Sequence, residues 1–121
     1  MSKSIIGEKS FKFAVDATLF HNTLKQEKVV VIPNQFLRSA TSIGANVQEA
    51  LGSQTEKEFH SKLSIARKEA REAFYWLRLL NETTTIDQDS VSPLIEQSEE
   101  LVRMLTAATK TLDKKLNGKK S

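Results

Sequence analysis

Basic side chains with an interleaved tyrosine stand out in the segment "ARKEAREAFYWLRLL". Arg67, Arg71 and Arg78 are spaced four and seven residues apart, so on a helix they share one broad stripe. Lys68 and Tyr75, seven residues apart, lie on a neighbouring line. Such residues can bind the phosphates of a nucleic acid and stack a base. Because solvated helices often carry the same pattern with glutamates between, an ordinary charged surface stays open as the alternative.

The positive charge of the chain is concentrated at its C-terminal end. Segment Thr106–Ser121 has five lysines against one aspartate, a side-chain charge of +4, whereas the net charge of the whole chain is only +3. Cations near the C-terminus of a helix interact favourably with its dipole, which accounts for Lys114 and Lys115 better than for the last two lysines. The candidate nucleic-acid contacts in this segment are Lys114, Lys115, Lys119 and Lys120.

Side chains for catalysis or metal binding are scarce. The chain has no cysteine, and His21 and His60 lie in separate predicted helices without a metal-ligand spacing. It contains no glycine-rich phosphate loop, no nucleophile elbow and no Glu-x-x-His motif. We therefore expect a protein that is not an enzyme and has no cofactor. The apolar runs are shorter than the ~20 residues of a membrane span, so we also expect a cytoplasmic protein without membrane contact.

Helical periodicity dominates the elements that must position these residues. The chain has only four glycines and two prolines in 121 residues. Four helices are predicted, over about 9–26, 33–51, 54–82 and 90–117. The third carries an apolar heptad seam of Phe59, Leu63, Ala66, Ala70, Ala73, Leu77 and Leu80. The prediction is one all-α domain over residues 1–121, an antiparallel up-down-up-down four-helix bundle with a flexible lysine-rich C-terminal tail.

Local signals set the expected limits of these helices. The run "VVVI" before Pro33 is predicted to be a connector, and Gly52 is expected to end the second helix in a left-handed conformation. Ser53 and Glu56 have the spacing of a capping box for the third helix. The expected caps of the fourth helix are Asp89, Ser90 or Ser92.

The apolar faces of the first two helices are predicted to be broad. In the first helix, the main apolar line is flanked by Phe11, Val15 and Leu19. In the second helix, the face is predicted to be widened by Leu37, Gly44 and Leu51. Apolar residues therefore extend beyond a single line in both predicted helices.

The second predicted helix also has an unusual polar face. Ser39, Ser42, Asn46 and Glu49 are three, four and three residues apart, so they form one stripe. Small residues let two helices approach closely, and their hydroxyls and amides can then bond across the gap. We expect this stripe to contact another helix, and a solvated face is the alternative.

Arg38 lies beside that stripe and is expected to pair with Glu69 or Glu72 of the third predicted helix. Trp76 continues the line of the two glutamates. Such an ion pair would fix the register of the helices rather than add much stability, because desolvation offsets the attraction. The alternative for these residues is ordinary surface charge.

Two segments, "QFLRSATSIGANVQEA" and "EFHSKLSIARKEAREAFYWLRLL", resemble a known family. They are similar to the four-helix-bundle proteins encoded in intervening sequences of bacterial 23S rRNA genes. The similarity covers roughly residues 10–115, and Ala73 stands where that family often has threonine. The matching residues are Arg38, Ser39, Thr41–Asn46, Glu49, Ala50, Phe59, Lys62, Leu63, Glu69, Ala70, Glu72 and Tyr75–Leu77.

The resemblance implies a bundle that assembles into a ring-like homopentamer. It also implies a relation to the accessory proteins of diversity-generating retroelements, which are basic pentameric bundles that bind a reverse transcriptase and nucleic acid. In a ring, the polar stripe of the second helix and Arg38, Glu69 and Glu72 would be structural or interface residues. We therefore expect a non-catalytic RNA-binding or ribonucleoprotein accessory protein. The alternative is a structural oligomeric scaffold that binds a protein partner without nucleic acid.

Overall fold

The structure, a computed structural model, describes residues 4–24 and 30–118 of the 121-residue chain. Within these residues the backbone forms four helices and no strand: α1 Ile5–Thr23, α2 Val31–Leu51, α3 Glu56–Thr83 and α4 Gln88–Gly118. Each helix packs on the next along the chain, and α1 also packs on α4. The predicted all-α four-helix bundle is confirmed.

One apolar face of each helix lines the core. On α3 the predicted seam is buried from Leu63 to Leu80, and its three alanines have no exposed surface, so neighbouring helices can approach closely. Between α1 and α2, Phe36 contacts Phe13 and Phe20 edge to face, with centroid distances of 6.2 and 6.0 Å. Each aromatic pair of this kind adds about 0.5–1.5 kcal/mol beyond the burial of its area.

The first two helices begin earlier than their apolar patterns indicate. Ser4 caps α1, since its Oγ accepts the N–H of Gly7 at 3.0 Å, and the helix therefore starts at Ile5 rather than near residue 9. Of the run "VVVI", Val31 and Ile32 belong to α2, so the predicted connector is wrong for these two residues. Pro33 is tolerated there because the first turn of a helix needs no N–H from it.

The caps of α3 and α4 differ from the predicted ones. Thr55, not Ser53, caps α3, and its Oγ1 accepts the N–H of Glu58 at 3.1 Å. Ahead of α4, the Asp87 carboxylate accepts the N–H of Asp89 at 3.2 Å. In both places a residue two positions from a predicted cap has the side-chain oxygen that reaches a free N–H.

Gly52 ends α2 without the predicted left-handed conformation. Its φ is −94° and its ψ is 1°, and no glycine in the described residues has a positive φ. The N–H of Gly52 bonds to Gln48 and that of Ser53 bonds to Ala50, so the last turn tightens and satisfies the carbonyls of the helix end. Because this geometry is open to other residues, glycine is not required here for its backbone freedom.

Several apolar residues beside the core-facing lines point to solvent. On α1, the side chains of Phe11, Val15 and Leu19 are 66%, 40% and 60% exposed, and Leu51 at the end of α2 is also exposed. The core side of α1 is already filled by the line of residues that includes Phe13 and Phe20, so the second apolar line faces outward. The four helices of this chain leave that line without cover.

Small residues on α2 allow close packing, as predicted, but the predicted hydrogen bonds across the gap do not form in two cases. Ser39 is fully buried, yet its hydroxyl donates to the carbonyl of Phe36 on the same helix at 3.0 Å. The amide of Asn46 likewise donates to the carbonyl of Ser42 at 2.9 Å. These side chains satisfy themselves locally, which is common for small polar residues inside helices.

Candidate nucleic-acid interface

An ion-pair network joins α2 to α3 at Arg38. Its Nη1 donates to Glu69 Oε2 at 3.1 Å, and its Nη2 donates to Glu72 Oε1. Its Nε donates to Gln35 Oε1 at 3.2 Å, and Trp76 Nε1 contacts the same Glu72 oxygen at 3.4 Å. Arg38 was predicted to pair with Glu69 or Glu72, and the structure shows contacts to both, with Trp76 in the same network.

The Arg38 network lies at the border between the protein interior and water. The side chain of Arg38 is 46% exposed, whereas that of Glu69 is only 12% exposed. Burial alone would lower the pKa of the guanidinium, but the attraction of Glu69 and Glu72 and their hydrogen bonds outweigh it, so the pKa of Arg38 is raised. Each of its three nitrogens donates a hydrogen bond within the chain, so Arg38 links α2 to α3.

Glu49, the last residue of the predicted polar stripe, makes a second link between α2 and α3. Its Oε2 lies 3.3 Å from Lys62 Nζ, and both side chains are well exposed. An exposed pair of this kind contributes about 0.2–1 kcal/mol at most. Because Glu49 offsets its charge, Lys62 adds little uncompensated positive charge to this side of α3.

The basic residues predicted on α3 divide into two groups by their contacts. Arg67 is half-buried, and its Nη1 donates to Thr109 Oγ1 of α4 at 3.4 Å, so it takes part in α3–α4 packing. Arg71, Arg78 and Lys68 are exposed. Only the second group is placed to meet a ligand from solvent.

Arg71 shares a cavity between α3 and α4 with a further arginine, Arg103. A cavity of about 410 Å³ is formed there by Arg71, Phe74, Glu99, Val102 and Arg103. The guanidinium carbon of Arg78 lies over the Phe74 ring, 5.7 Å from its centroid, in a cation–π contact. We call the site of these six residues the arginine groove.

The arginine groove has a net positive charge. Its three guanidiniums stand against the single carboxylate of Glu99, and none of the three arginines forms an ion pair with any residue in the described part of the chain. Phe74 and Val102 at its wall are half-buried, which keeps apolar surface beside the charges. Guanidinium groups present several N–H donors in a plane that matches phosphate oxygens. The groove can therefore bind a phosphate without breaking an existing ion pair.

Sequence reasoning missed Arg103 and Glu99 of this groove. The two residues are one helical turn apart on α4, and nothing in the pattern of that helix distinguishes them from other surface charges. They meet Arg71 only because α3 and α4 pack in one particular register. A sequence signal for this site would have required knowing that register.

Tyr75 is the exposed aromatic beside the groove residues on α3. Its ring contacts the ring of Trp76 edge to face, with the centroids 5.1 Å apart, and the tyrosine itself remains exposed. Trp76 is half-buried and packs against the core. Tyr75 is thus available to stack on a base, whereas Trp76 is used in packing.

The predicted lysines at the C-terminal end have different surroundings. Lys115 Nζ lies 3.0 Å from Glu56 Oε1 at the start of α3, so part of its charge is compensated. Lys114 is exposed. Lys119 and Lys120 lie outside the described residues.

A second groove, between α1 and α4, has balanced charge. It has a volume of about 620 Å³ and is lined by three basic residues and three glutamates, and it shares Arg103 and Glu99 with the arginine groove. Lys9 Nζ already pairs with Glu100 Oε1 at 2.9 Å. This groove is therefore a poorer anion site than the arginine groove.

Electrostatic links along α1 are similarly local. The pKa of Asp16 is held below its ordinary value by a hydrogen bond from Lys12 at 2.6 Å, and a bond from Gln97 of α4 at 3.2 Å adds to this against the opposing effect of burial.

The described residues contain no cluster of three or more metal-ligating side chains. His60 Nε2 lies 2.8 Å from Asp113 Oδ1 but makes no hydrogen bond there.

Comparison with known proteins places this chain in a family. The family model described as "23S rRNA-intervening sequence protein" matches residues 2–107 of the chain. The chain belongs to this family. Within this 23S rRNA-intervening sequence protein, all six residues of the arginine groove fall inside the matched region, whereas Lys114 and Lys115 lie beyond it.

A solved structure is also similar to this member of the family. It is a protein of unknown function from the S23 ribosomal protein family of Bacteroides thetaiotaomicron VPI-5482. The TM-score is 0.82 at 38% sequence identity, and the match covers 88% of this chain and 99% of that chain. No curated protein matches the sequence. None of the helices in residues 4–24 and 30–118 has both the length and the hydropathy needed to cross a membrane.

Proposed function

We propose that this 23S rRNA-intervening sequence protein is a non-catalytic RNA-binding protein, an accessory component of a ribonucleoprotein. The observation that carries the proposal is the arginine groove, where Arg71 and Arg103 line one cavity and Arg78 adjoins it over Phe74. None of the three arginines has an ion-pair partner among the described residues. Exposed Lys68 and Tyr75 lie on the neighbouring line of α3 and extend this surface.

The proposed contacts are mostly to phosphates. Three guanidiniums supply charge and directed donors, while Tyr75 is the exposed aromatic on this side of α3. Phosphate contacts position a nucleic acid but carry little sequence information. Binding to this surface should therefore depend strongly on salt, since each contact releases condensed counterions.

The test is a filter-binding titration of the full chain with single-stranded RNA at two salt concentrations. With about three phosphate contacts, a fourfold rise in salt should weaken binding roughly 20-fold. The double variant Arg71→Ala, Arg78→Ala should bind more weakly and respond less to salt, by roughly 0.7 in the logarithmic slope for each contact removed.

A control variant distinguishes a general effect of removing positive charge from the specific loss of the arginine groove. Lys57→Ala removes a cation from the exposed start of the same helix, away from the groove, and should leave the affinity nearly unchanged. The fold of each variant is checked by circular dichroism. Failure of the parent protein to bind RNA at low salt would overturn the proposed function.

A second candidate function is supported by a different observation, the uncovered apolar line of α1. Phe11, Val15 and Leu19 follow one another at four-residue spacing on the side of the helix that faces away from the core. We propose that this line holds a neighbouring subunit in a ring-like homopentamer. In that case the protein could act as a scaffold for a protein partner without nucleic acid, and the two candidates differ in their response to salt and RNA.

A further inference from the structure

The arginine groove contains a carboxylate that simple phosphate binding does not need. Glu99 lies one turn before Arg103 on α4 and shares the cavity with Arg71. It forms no ion pair with a described residue, so both of its oxygens can accept hydrogen bonds from a ligand. A negative charge in a phosphate site weakens phosphate binding in general. This placement therefore points to a ligand that offers hydrogen-bond donors as well as a phosphate.

The size of the groove limits the ligand to a small unit. Its volume of about 410 Å³ lies at the lower end of the ~300–1,000 Å³ that small-ligand sites occupy. A duplex cannot enter a cavity of that size, whereas one nucleotide of a single strand can. Single-stranded segments are also where proteins read RNA bases, because the base edges there are free.

The lining residues divide the groove into parts suited to the parts of a nucleotide. Arg71 and Arg103 provide donors for the phosphate. Phe74 and Val102 provide an apolar wall for the base, while Arg78 already covers one face of the Phe74 ring. A base packed on this wall would have the guanidiniums around it, and its Watson–Crick edge would face Glu99.

The chemistry of a carboxylate selects among the four bases. A carboxylate has two acceptor oxygens and no donor. Guanine presents two adjacent donors, N1–H and the N2 amino group, on its Watson–Crick edge. Adenine, cytosine and uracil each place an acceptor beside their donor, and that acceptor would face a carboxylate oxygen.

We infer that the arginine groove is a subsite for one guanine nucleotide of single-stranded RNA. In this subsite Arg71 and Arg103 hold the phosphate, and Glu99 accepts from guanine N1–H and N2–H. The inference rests on the proposed RNA-binding function and adds to it the class of base. It makes Glu99 a specificity-determining residue that lowers general affinity and favours one base.

The test uses fluorescently labelled single-stranded octaribonucleotides that are uridine throughout except at one central position. Binding of the full chain is followed by fluorescence anisotropy with guanosine, adenosine, cytidine or uridine at that position. A bidentate base contact predicts a preference of roughly tenfold for the guanosine oligonucleotide. The all-uridine oligonucleotide should bind weakly and with steep salt dependence.

The decisive variant is Glu99→Gln, which keeps the shape of the side chain and replaces one acceptor by a donor. It should abolish the guanosine preference while the affinity for the all-uridine strand rises or stays the same, because a negative charge is lost near the phosphates. Glu96→Gln is the matched control, since it removes the same charge from an exposed position of α4 outside the arginine groove. This control should retain the preference.

The outcomes separate this inference from the proposed function. Equal binding of all four oligonucleotides with strong salt dependence would leave RNA binding intact and overturn the guanine subsite. A guanosine preference that survives in Glu99→Gln would place base selection elsewhere and also overturn it. Absence of binding by the parent at low salt would overturn both.

Discussion

At the scale of single residues, Arg38 shows how one side chain can serve two helices. Its planar guanidinium bridges the carboxylates of Glu69 and Glu72 on α3 while staying bonded to Gln35 on its own helix. A lysine could not replace it, because an ammonium group lacks the fork of donors that meets two carboxylates at once. Arg38 is also half-exposed, so its contribution lies between that of a surface pair and that of a buried one.

Replacing Arg38 by alanine should lower the free energy of unfolding by about 1–2 kcal/mol. The value lies between the ~0.2–1 kcal/mol of exposed pairs and the ~3–5 kcal/mol of a buried charge left unpaired. The intermediate value follows because the Arg38 side chain is 46% exposed while that of Glu69 is only 12% exposed. Urea denaturation followed by circular dichroism measures the difference.

The control for this substitution is Arg103→Ala, which removes an exposed arginine that has no ion pair among the described residues. It should change stability by no more than about 0.5 kcal/mol. If Arg38→Ala instead keeps the stability of the parent and loses RNA affinity, Arg38 is a phosphate contact and not a link between helices.

At the scale of helices, the small residues of α2 set the distance to α1. A Cβ atom added to Gly44 would lie 3.4 Å from the carbonyl oxygen of Ser10 and 3.7 Å from its carbon. These are ordinary contact distances, so a methyl group fits and anything larger must push α1 away. Gly44 is thus a spacing residue inside a regular helix.

The substitutions Gly44→Ala and Gly44→Leu should therefore have opposite effects. Alanine gains about 1 kcal/mol of helix propensity over glycine and should leave the melting temperature equal or higher. Leucine should lower stability by roughly 1–3 kcal/mol because it overfills the α1–α2 contact. Thermal melts of both variants test this, and a destabilising Gly44→Ala would mean that α1 cannot yield even a few tenths of an ångström.

The α3 seam supports a sharper test of packing. Ala70 is fully buried at the centre of that seam, so Ala70→Glu should place an unpaired carboxylate in the core at a cost of roughly 3–5 kcal/mol. Ala107→Glu makes the same chemical change at an exposed position of α4 and should be nearly neutral. Thermal denaturation compares the two, and equal melting temperatures would show that Ala70 does not face the core.

These helices also show which features of the fold could be predicted from sequence. The seam of α3 has a single unbroken apolar line, and for that reason its burial could be predicted. The contact between Arg38 and Glu69 followed from placing α2 and α3 side by side. In α1, however, two apolar lines run in parallel, and periodicity alone cannot decide that Phe13 is buried and Phe11 exposed.

The candidate site was harder to predict for a related reason. Arg71 and Arg78 share a helix, so their common stripe is visible in the sequence. Arg103 and Glu99 join them only through the packing of α4 on α3. A site between helices depends on their register, and no pattern within one helix contains that information.

At the scale of the whole molecule, two different surfaces lie on different helices. The arginine groove between α3 and α4 carries uncompensated positive charge, whereas the outer side of α1 carries uncovered apolar side chains. If an oligomer assembled through α1 leaves the groove of every subunit open, the grooves are repeated around the assembly. Repeated grooves could then contact one RNA at several points, and the combined affinity would exceed that of a single groove.

The proposed assembly predicts that the apolar line of α1 controls the oligomeric state. The double variant Phe11→Ser, Leu19→Ser should reduce the mass measured by sedimentation equilibrium toward that of a monomer. Both side chains are more than half exposed in the single chain, so their loss removes few contacts within the bundle and should leave its helix content unchanged. What is lost is the apolar area that a neighbouring subunit would cover, worth about 25 cal/mol for each Å² removed from water.

Ile65→Ser, which removes a partly exposed apolar side chain from α3, is the control and should keep the mass of the parent. A parent protein that sediments as a monomer at micromolar concentration would contradict the ring, and a double variant of unchanged mass would place the subunit contact on another face.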